Sequence, residues 1–168
     1  MRSRIVSIAA LVGTVLAGAG CLSDGGSPPP PTQLELRGFQ TREYDTQDMR
    51  LVMKAMVNVL QDMGFIINNA DTQLGLLSAN KMTDIAHSKR EIKRAQKKEE
   101  LLSKTLVLDC TANVSAFGKQ SRVRVNFQQR VLGTNGATMS ASPITDAAFY
   151  QQFFAQVDKG IFLQQEGV

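Results

Sequence analysis

Apolar residues along the chain follow two spacings, one typical of helices and one typical of strands. Residues 49–63 carry apolar side chains every three or four positions and end at Gly64, which predicts an amphipathic helix. Its cap is expected at Asp45 or Thr46. A second helix is predicted after Pro143, where five of the chain's ten aromatic residues form one wide face.

Alternation of apolar and other side chains predicts the strands. The segments with this alternation are residues 34–44, 65–67, 72–82, 106–117, 122–131 and 137–142. Turns are expected at residues 68–71, 118–119 and 134–136. Gly38 is expected to mark a bulge or bend in the first strand, and Thr145 to cap the second helix.

The predicted elements follow the order strand, helix, two strands, a charged insert at residues 83–104, three strands and helix. Antiparallel hairpins with helices on one face predict an α+β fold with two layers. We expect an antiparallel sheet, a helix after the first strand and a long C-terminal helix that the sheet covers.

The N-terminal segment has the pattern of an export signal. Arg2 and Arg4 precede an apolar run at residues 5–16 that is too short to span a bilayer. Small residues then lead into Cys21, and this sequence resembles the lipobox of bacterial lipoproteins. An ordinary signal, cleaved after a small residue before Cys21, and an uncleaved anchor are the alternatives.

The lipobox resemblance implies cleavage before Cys21 and acylation of that residue, so that acyl chains hold the protein on a membrane. Leu22, in place of Asp, implies sorting to the outer membrane with the domain facing the periplasm. We therefore expect a signal peptide at residues 1–20, a lipidated Cys with a Gly/Pro-rich tether at 21–33, and one domain at 34–168.

Charge and cysteine content argue against a nucleic-acid partner and against a reactive thiol in the domain. The formal net charge of +4 includes Arg2 and Arg4, so a cleaved chain would be only weakly basic, and we expect no nucleic-acid partner. Cys110 would be left alone after acylation of Cys21, and its strand-like surroundings predict a buried, inert thiol.

The element order, the LQDMGF junction at residues 60–65 and the lipobox-like start together resemble BamC-like accessory lipoproteins of the outer-membrane β-barrel assembly machine. Their domains have the helix-grip fold, in which a curved antiparallel sheet wraps a long C-terminal helix. The resemblance covers residues 34–164 and carries no residue motif. It implies an accessory role in an envelope assembly or transport complex.

Two surfaces are candidate binding sites. The charged insert concentrates cations that would share a broad surface on a helix, namely Lys89, Arg90, Lys93, Arg94, Lys97 and Lys98. With the strand residues Arg122, Arg124 and Arg130 it is expected to contact anionic lipid, lipopolysaccharide phosphate or an acidic protein partner. The alternative is a solvated helix or mobile loop.

A cleft between the sheet and the C-terminal helix is the second candidate. It would hold an apolar ligand between side chains that could equally fill the core, namely Met53, Met56, Phe149, Phe153 and Val157. A lipid or small apolar ligand-binding lipoprotein is therefore the alternative function.

Catalytic chemistry has little support in the sequence. The chain has one histidine, His87, and lacks the motifs of nucleophilic, phosphate-binding and zinc-dependent enzymes. No catalytic residue, metal or cofactor is expected. The sequence predicts a non-enzymatic, lipid-anchored envelope protein that acts as an interaction module.

Overall fold

Helical and alternating patterns correspond to four helices and six strands within residues 31–166, the part of the chain that this computed structural model describes. The elements are α1 (Gln33–Gln40), β1 (Thr41–Tyr44), α2 (Met49–Asp62), β2 (Ile66–Asp71), β3 (Leu76–Asp84), α3 (Lys89–Lys98), β4 (Ser103–Phe117), β5 (Gln120–Gly133), β6 (Thr138–Pro143) and α4 (Ala147–Gln165). The predicted α+β class is confirmed, with an antiparallel sheet and a C-terminal helix.

The sheet is built around the long β4–β5 hairpin. Its strand order is β1-β5-β4-β3-β2, and β6 also pairs with β5. Because β1 pairs with residues 121–124 and β6 with residues 128–132, these two short strands share one edge of β5. All of these pairings are antiparallel.

The inner face of the sheet forms the main core. Alternate residues of the hairpin, such as Cys110 and Phe127, are opposite each other in the register and are buried on the same face. α2 and α4 pack on each other and supply the other half of the same cluster. We call this buried side of the sheet the inner face and the opposite side the outer face.

Phe127 lies at the centre of an aromatic cluster. Its ring centroid is 4.9 Å from that of Phe149, 5.3 Å from Phe153, 5.6 Å from Tyr150 and 6.0 Å from Phe65. The four pairs have edge-on geometry, which aromatic quadrupoles favour. Four of the five aromatic residues of α4 therefore pack in this core, as the sequence predicted, whereas Phe162 is 60% exposed.

The prediction of a strand over residues 34–44 was wrong in its first part. Thr32 and Glu35 form a capping box, in which each side chain binds the other residue's backbone N–H. This local closure starts α1, so Gly38 lies within a helix and is not a bulge. Only Thr41–Tyr44 forms a strand.

Three smaller predictions also need correction. The β2–β3 turn follows Asp71, whose carboxylate accepts the backbone N–H groups of Gln73 and Leu74 at 2.9 Å, so it does not lie at residues 68–71. The helix caps are Asp48 for α2 and Asp146 for α4. The Asp48 carboxylate accepts two backbone N–H groups and the Asp146 carboxylate accepts one, and each negative charge interacts favourably with the positive end of its helix dipole.

Candidate functional site

The charged insert contains a helix, α3, which its own sequence specifies at both ends. The Ser88 hydroxyl accepts the backbone N–H of Glu91, and the Glu91 carboxylate accepts the backbone N–H of Ser88 at 2.8 Å. The Ser88 hydroxyl and the Ser88 backbone N–H both donate to the Glu91 carboxylate, which lowers the pKa of Glu91 below its usual value. At the other end Glu99 adopts a left-handed conformation with φ 54°. The sequence left a helix and a mobile loop open for this segment, and the structure has a helix at Lys89–Lys98.

α3 has two unlike faces. Ile92, Ala95, Gln96 and Glu99 line an open groove of about 450 Å³ together with Leu101, Leu102 and Thr134. The predicted cations lie around the rest of the helix, and all six are exposed. Of these six cations, only Lys98 forms an ion pair within residues 31–166, with Glu100 at 3.4 Å. The other five leave an unneutralised positive surface.

The insert is closed at its base by hydrogen bonds between its two ends. His87 Nε2 lies 2.5 Å from the carbonyl oxygen of Ser103, and the N–H of Ile85 donates to the carbonyl of Lys104 at 2.8 Å. The N–H of Thr134 donates to Leu102 at 2.9 Å. His87 is therefore explained by a structural contact at this closure.

α3 contributes little to the main core. Its single buried residue, Ala95, lies outside the core cluster, and so does Val107, which alternation places on the outer face of β4. Since Val107 is fully buried, we infer that the insert folds back over this end of the outer face. α3 thus has a local attachment and an exposed cationic side.

The three predicted strand arginines all lie on the outer face but differ in their contacts. Arg130 forms a bidentate pair with Asp109, with Nε–Oδ2 2.6 Å and Nη2–Oδ1 3.0 Å, which raises the pKa of Arg130. Its charge is thereby neutralised. Arg124 has no ion pair within residues 31–166 and is exposed.

Arg122 is held in one orientation by two contacts. Its Nε and Nη2 donate to Glu43 Oε1 at 3.0 and 2.8 Å, and its guanidinium lies 3.3 Å from the centroid of the Phe117 ring. Arg122 and Arg124 line an open depression of about 430 Å³ together with Leu34, Arg37, Gly38, Thr41 and Glu43. We call this site the cationic depression.

Sequence reasoning missed Arg37 because it assigned residues 34–44 to a strand. In α1 the side chain of Arg37 comes one turn after Leu34 and reaches the same depression. The Thr-x-x-Glu spacing of Thr32 and Glu35 was the available signal for a helix start.

The five residues of the predicted apolar cleft belong to the core. Met53, Met56, Phe153 and Val157 are at most 2% exposed, and the partly buried Phe149 packs against Phe127. These side chains fill the space between α4 and the sheet that a ligand would need. The packing therefore argues against the predicted cleft.

An open groove of about 500 Å³ lies instead between α2 and α4. Its walls mix polar and apolar side chains, including Asp62, Lys159 and Leu163. The amide atoms of Gln164 are buried there without a hydrogen-bond partner among residues 31–166. This groove has a different character from the apolar cleft that the sequence suggested.

The remaining sequence predictions concern chemistry and attachment. Burial raises the pKa of the Cys110 thiol to about 12, as expected for an inert thiol. Within residues 31–166 there is no cluster of three or more His, Cys, Asp or Glu suited to a metal ion. No helix in that range has the length and apolar character to cross a membrane. Cys21 lies outside the described residues, so its acylation stays a prediction.

Comparisons with known proteins identify no family for this chain. No family model matches it, and no curated protein matches it. A TBP-like protein from Parabacteroides distasonis has a TM-score of 0.38 and 6% identity over 72% of this chain and 90% of its own. A DUF4468 family protein from Bacteroides ovatus has a TM-score of 0.36 and 11% identity over 72% and 84%. Likenesses of this strength carry no functional argument.

Proposed function

We propose that this chain is a non-enzymatic, lipid-anchored envelope protein that serves as an accessory module of an outer-membrane assembly or transport complex. The lipobox-like sequence before Cys21 supports the anchor. Each buried methylene contributes about 0.8 kcal/mol, so several acyl chains would hold the domain firmly. The packing of α4 across the inner face supports the related proposal that the fold is of the helix-grip type.

The exposed cationic surface of α3 is the feature that carries this proposal. Cations four residues apart repel each other on a helix, and α3 has four such pairs between Lys89 and Lys98. Each pair costs roughly 0.2–0.5 kcal/mol at low salt. A complementary anionic surface would convert this repulsion into attraction, whereas the core of the domain gains nothing from it.

The position of α3 favours an acidic protein over the anchoring bilayer. α3 lies next to the end of the β4–β5 hairpin formed by Ser103 and Gly133, whereas the N-terminal segment enters through α1, beside Arg124. Arg124 and Gly133 are separated by about 30 Å along the strand, at about 3.3 Å per residue. A bilayer that held the N-terminal end would lie at the far end of the domain from α3.

Photo-crosslinking of the full-length protein in its own membranes tests this proposal. A photoreactive residue at Arg90 should capture one main partner in the unmodified protein. Substitution of Lys93, Arg94, Lys97 and Lys98 with Gln should lower that capture about tenfold or more, because close charge complementarity governs the encounter. High salt should have the same effect.

A matched variant provides the control. Substitution of Arg50, Lys54, Lys119 and Lys159 with Gln removes the same charge from exposed positions on other elements and should leave the crosslink unchanged. Equal capture by both variants at low salt would contradict the proposal. Mass spectrometry of the captured protein would also show whether Cys21 is acylated.

A further inference from the structure

The cationic depression lies where the folded domain meets the N-terminal segment. Arg37 comes from α1, and Arg122 and Arg124 come from β5. Neither Arg37 nor Arg124 has an ion pair within residues 31–166. Glu43 is the one carboxylate among the lining residues, so three guanidinium groups and one carboxylate leave a positive site.

The depression is suited to a phosphate-bearing group. Guanidinium groups form paired hydrogen bonds with phosphate oxygens and are less strongly hydrated than ammonium groups. Arg122 is already oriented by Glu43 and Phe117, so little side-chain entropy would be lost on binding. Arg37 and Arg124 are exposed beside it.

An exposed apolar residue lies at the same place. Leu34, in the first turn of α1, lines the depression and is 81% exposed. A Cβ added at Gly38 would meet nothing within 4 Å, so the helix surface beside it is open. A ligand with an anionic head and an apolar body would contact both the arginines and Leu34.

The chain itself limits where this site can lie. Ten residues lie between Cys21 and Thr32, and an extended chain spans at most about 3.5 Å per residue, so the two residues are at most roughly 40 Å apart. If Cys21 is acylated, the depression can therefore reach the head groups of the anchoring leaflet and can lie no farther than roughly 40 Å from them.

We propose that Arg37, Arg122 and Arg124 bind the phosphodiester head group of an anionic phospholipid in the leaflet that holds the lipid anchor. This inference rests on the proposed anchor. Contact at the depression would orient the domain so that the hairpin extends away from the bilayer. α3 would then be presented to its partner at the opposite end of the domain.

Head-group quenching of the full-length protein, purified from its own membranes and mixed with vesicles, tests the orientation. A fluorescent label is attached at Gln33→Cys beside the depression or, separately, at Gln96→Cys in α3, since buried Cys110 would not react. With vesicles of phosphatidylglycerol and phosphatidylcholine that carry a head-group quencher, the label at residue 33 should be quenched and the label at residue 96 should not.

Substitution of Arg37 and Arg124 with Gln should weaken this contact about 5- to 30-fold, measured as the phosphatidylglycerol content needed for half-maximal quenching. Arg124→Lys alone should have a smaller effect, because the charge remains and the paired hydrogen bonds are lost. Substitution of Arg50 and Lys54 with Gln is the matched control and should change nothing. A thermal unfolding midpoint equal to that of the unmodified protein would show that each variant is folded.

Two failures can be distinguished. If the protein floats with vesicles of either composition but quenching is independent of phosphatidylglycerol or of Arg37 and Arg124, only the head-group inference is overturned. If the protein does not float with any vesicle, the anchor is wrong and the inference falls with it.

Discussion

α4 and α3 are both capped, amphipathic helices, but α4 buries one whole face whereas α3 is almost entirely exposed. Five residues of α4 are buried, and four of these five are at most 1% exposed. α3 buries Ala95 alone and exposes six cations. α4 completes the core, whereas α3 adds a charged surface to a fold that is already complete.

This difference separates stability from binding within one small domain. Losses in the aromatic cluster should lower the free energy of unfolding, since close-packed rings have no solvent to replace their contacts. Changes on the exposed face of α3 should leave that free energy nearly constant and alter partner binding. Three substitutions test the separation, in order of expected effect.

Phe127→Ala should have the largest effect. Removal of the ring from the centre of the cluster should cost about 3–5 kcal/mol of unfolding free energy, because the surrounding rings cannot close the cavity. Urea unfolding, monitored by circular dichroism, measures this loss of unfolding free energy. Ile92→Ala in α3 is the matched control and should cost under about 1 kcal/mol, since Ile92 is 38% exposed. Similar losses for both variants would refute the separation.

Tyr150→Phe should have an intermediate effect. The Tyr150 hydroxyl accepts hydrogen bonds from Gln40 Nε2 and the Phe127 N–H, both at 3.2 Å, and donates to the Ile144 carbonyl at 3.1 Å. Its removal leaves buried groups unpaired and should cost about 1–3 kcal/mol.

Tyr44→Phe is a stringent control for that substitution. The Tyr44 hydroxyl is also buried, and although Asp158 lies near it, it forms no hydrogen bond of ordinary distance and angle among residues 31–166. Its removal should therefore be neutral or slightly stabilising in the same urea experiment. A loss as large as that of Tyr150→Phe would show that the Tyr150 hydrogen bonds are not the cause.

Ser88→Ala should have the smallest effect on the whole domain. It breaks the capping box of α3 and should destabilise that helix locally by about 1 kcal/mol. Amide hydrogen exchange should become faster in α3, while exchange in β4 and β5 stays unchanged. Faster exchange throughout the sheet would mean that α3 is coupled to the core.

Local patterns account for much of the fold that could be predicted. The alternation from Val123 to Phe127 predicts a strand with one apolar face, and the spacing in α2 predicts a helix, because each pattern repeats with the period of its backbone. The prediction of a strand at residues 34–40 was wrong because their apolar spacing fits both a strand and a helix. The capping box of Thr32 and Glu35 favours the helix.

Contacts between distant residues account for what could not be predicted at the candidate sites. Asp109 pairs with Arg130 and Glu43 with Arg122 only because β4, β5 and β1 are neighbours in the sheet. The three strand arginines look alike in sequence, yet one is neutralised, one is oriented and one is free of ion pairs within the described residues. Arg37 joins the last two only through the fold.

The sequence by itself determined most of the periodic elements and the cationic insert, and it predicts the anchor, since each depends on residues that are neighbours along the chain. The tertiary structure decided which side chains are core and which are surface. It placed Met53, Met56, Phe153 and Val157 in the core and brought Arg37, Arg122 and Arg124 to one depression. The physical reason is that burial and ion pairing depend on strand order and helix packing, which bring together residues far apart in sequence.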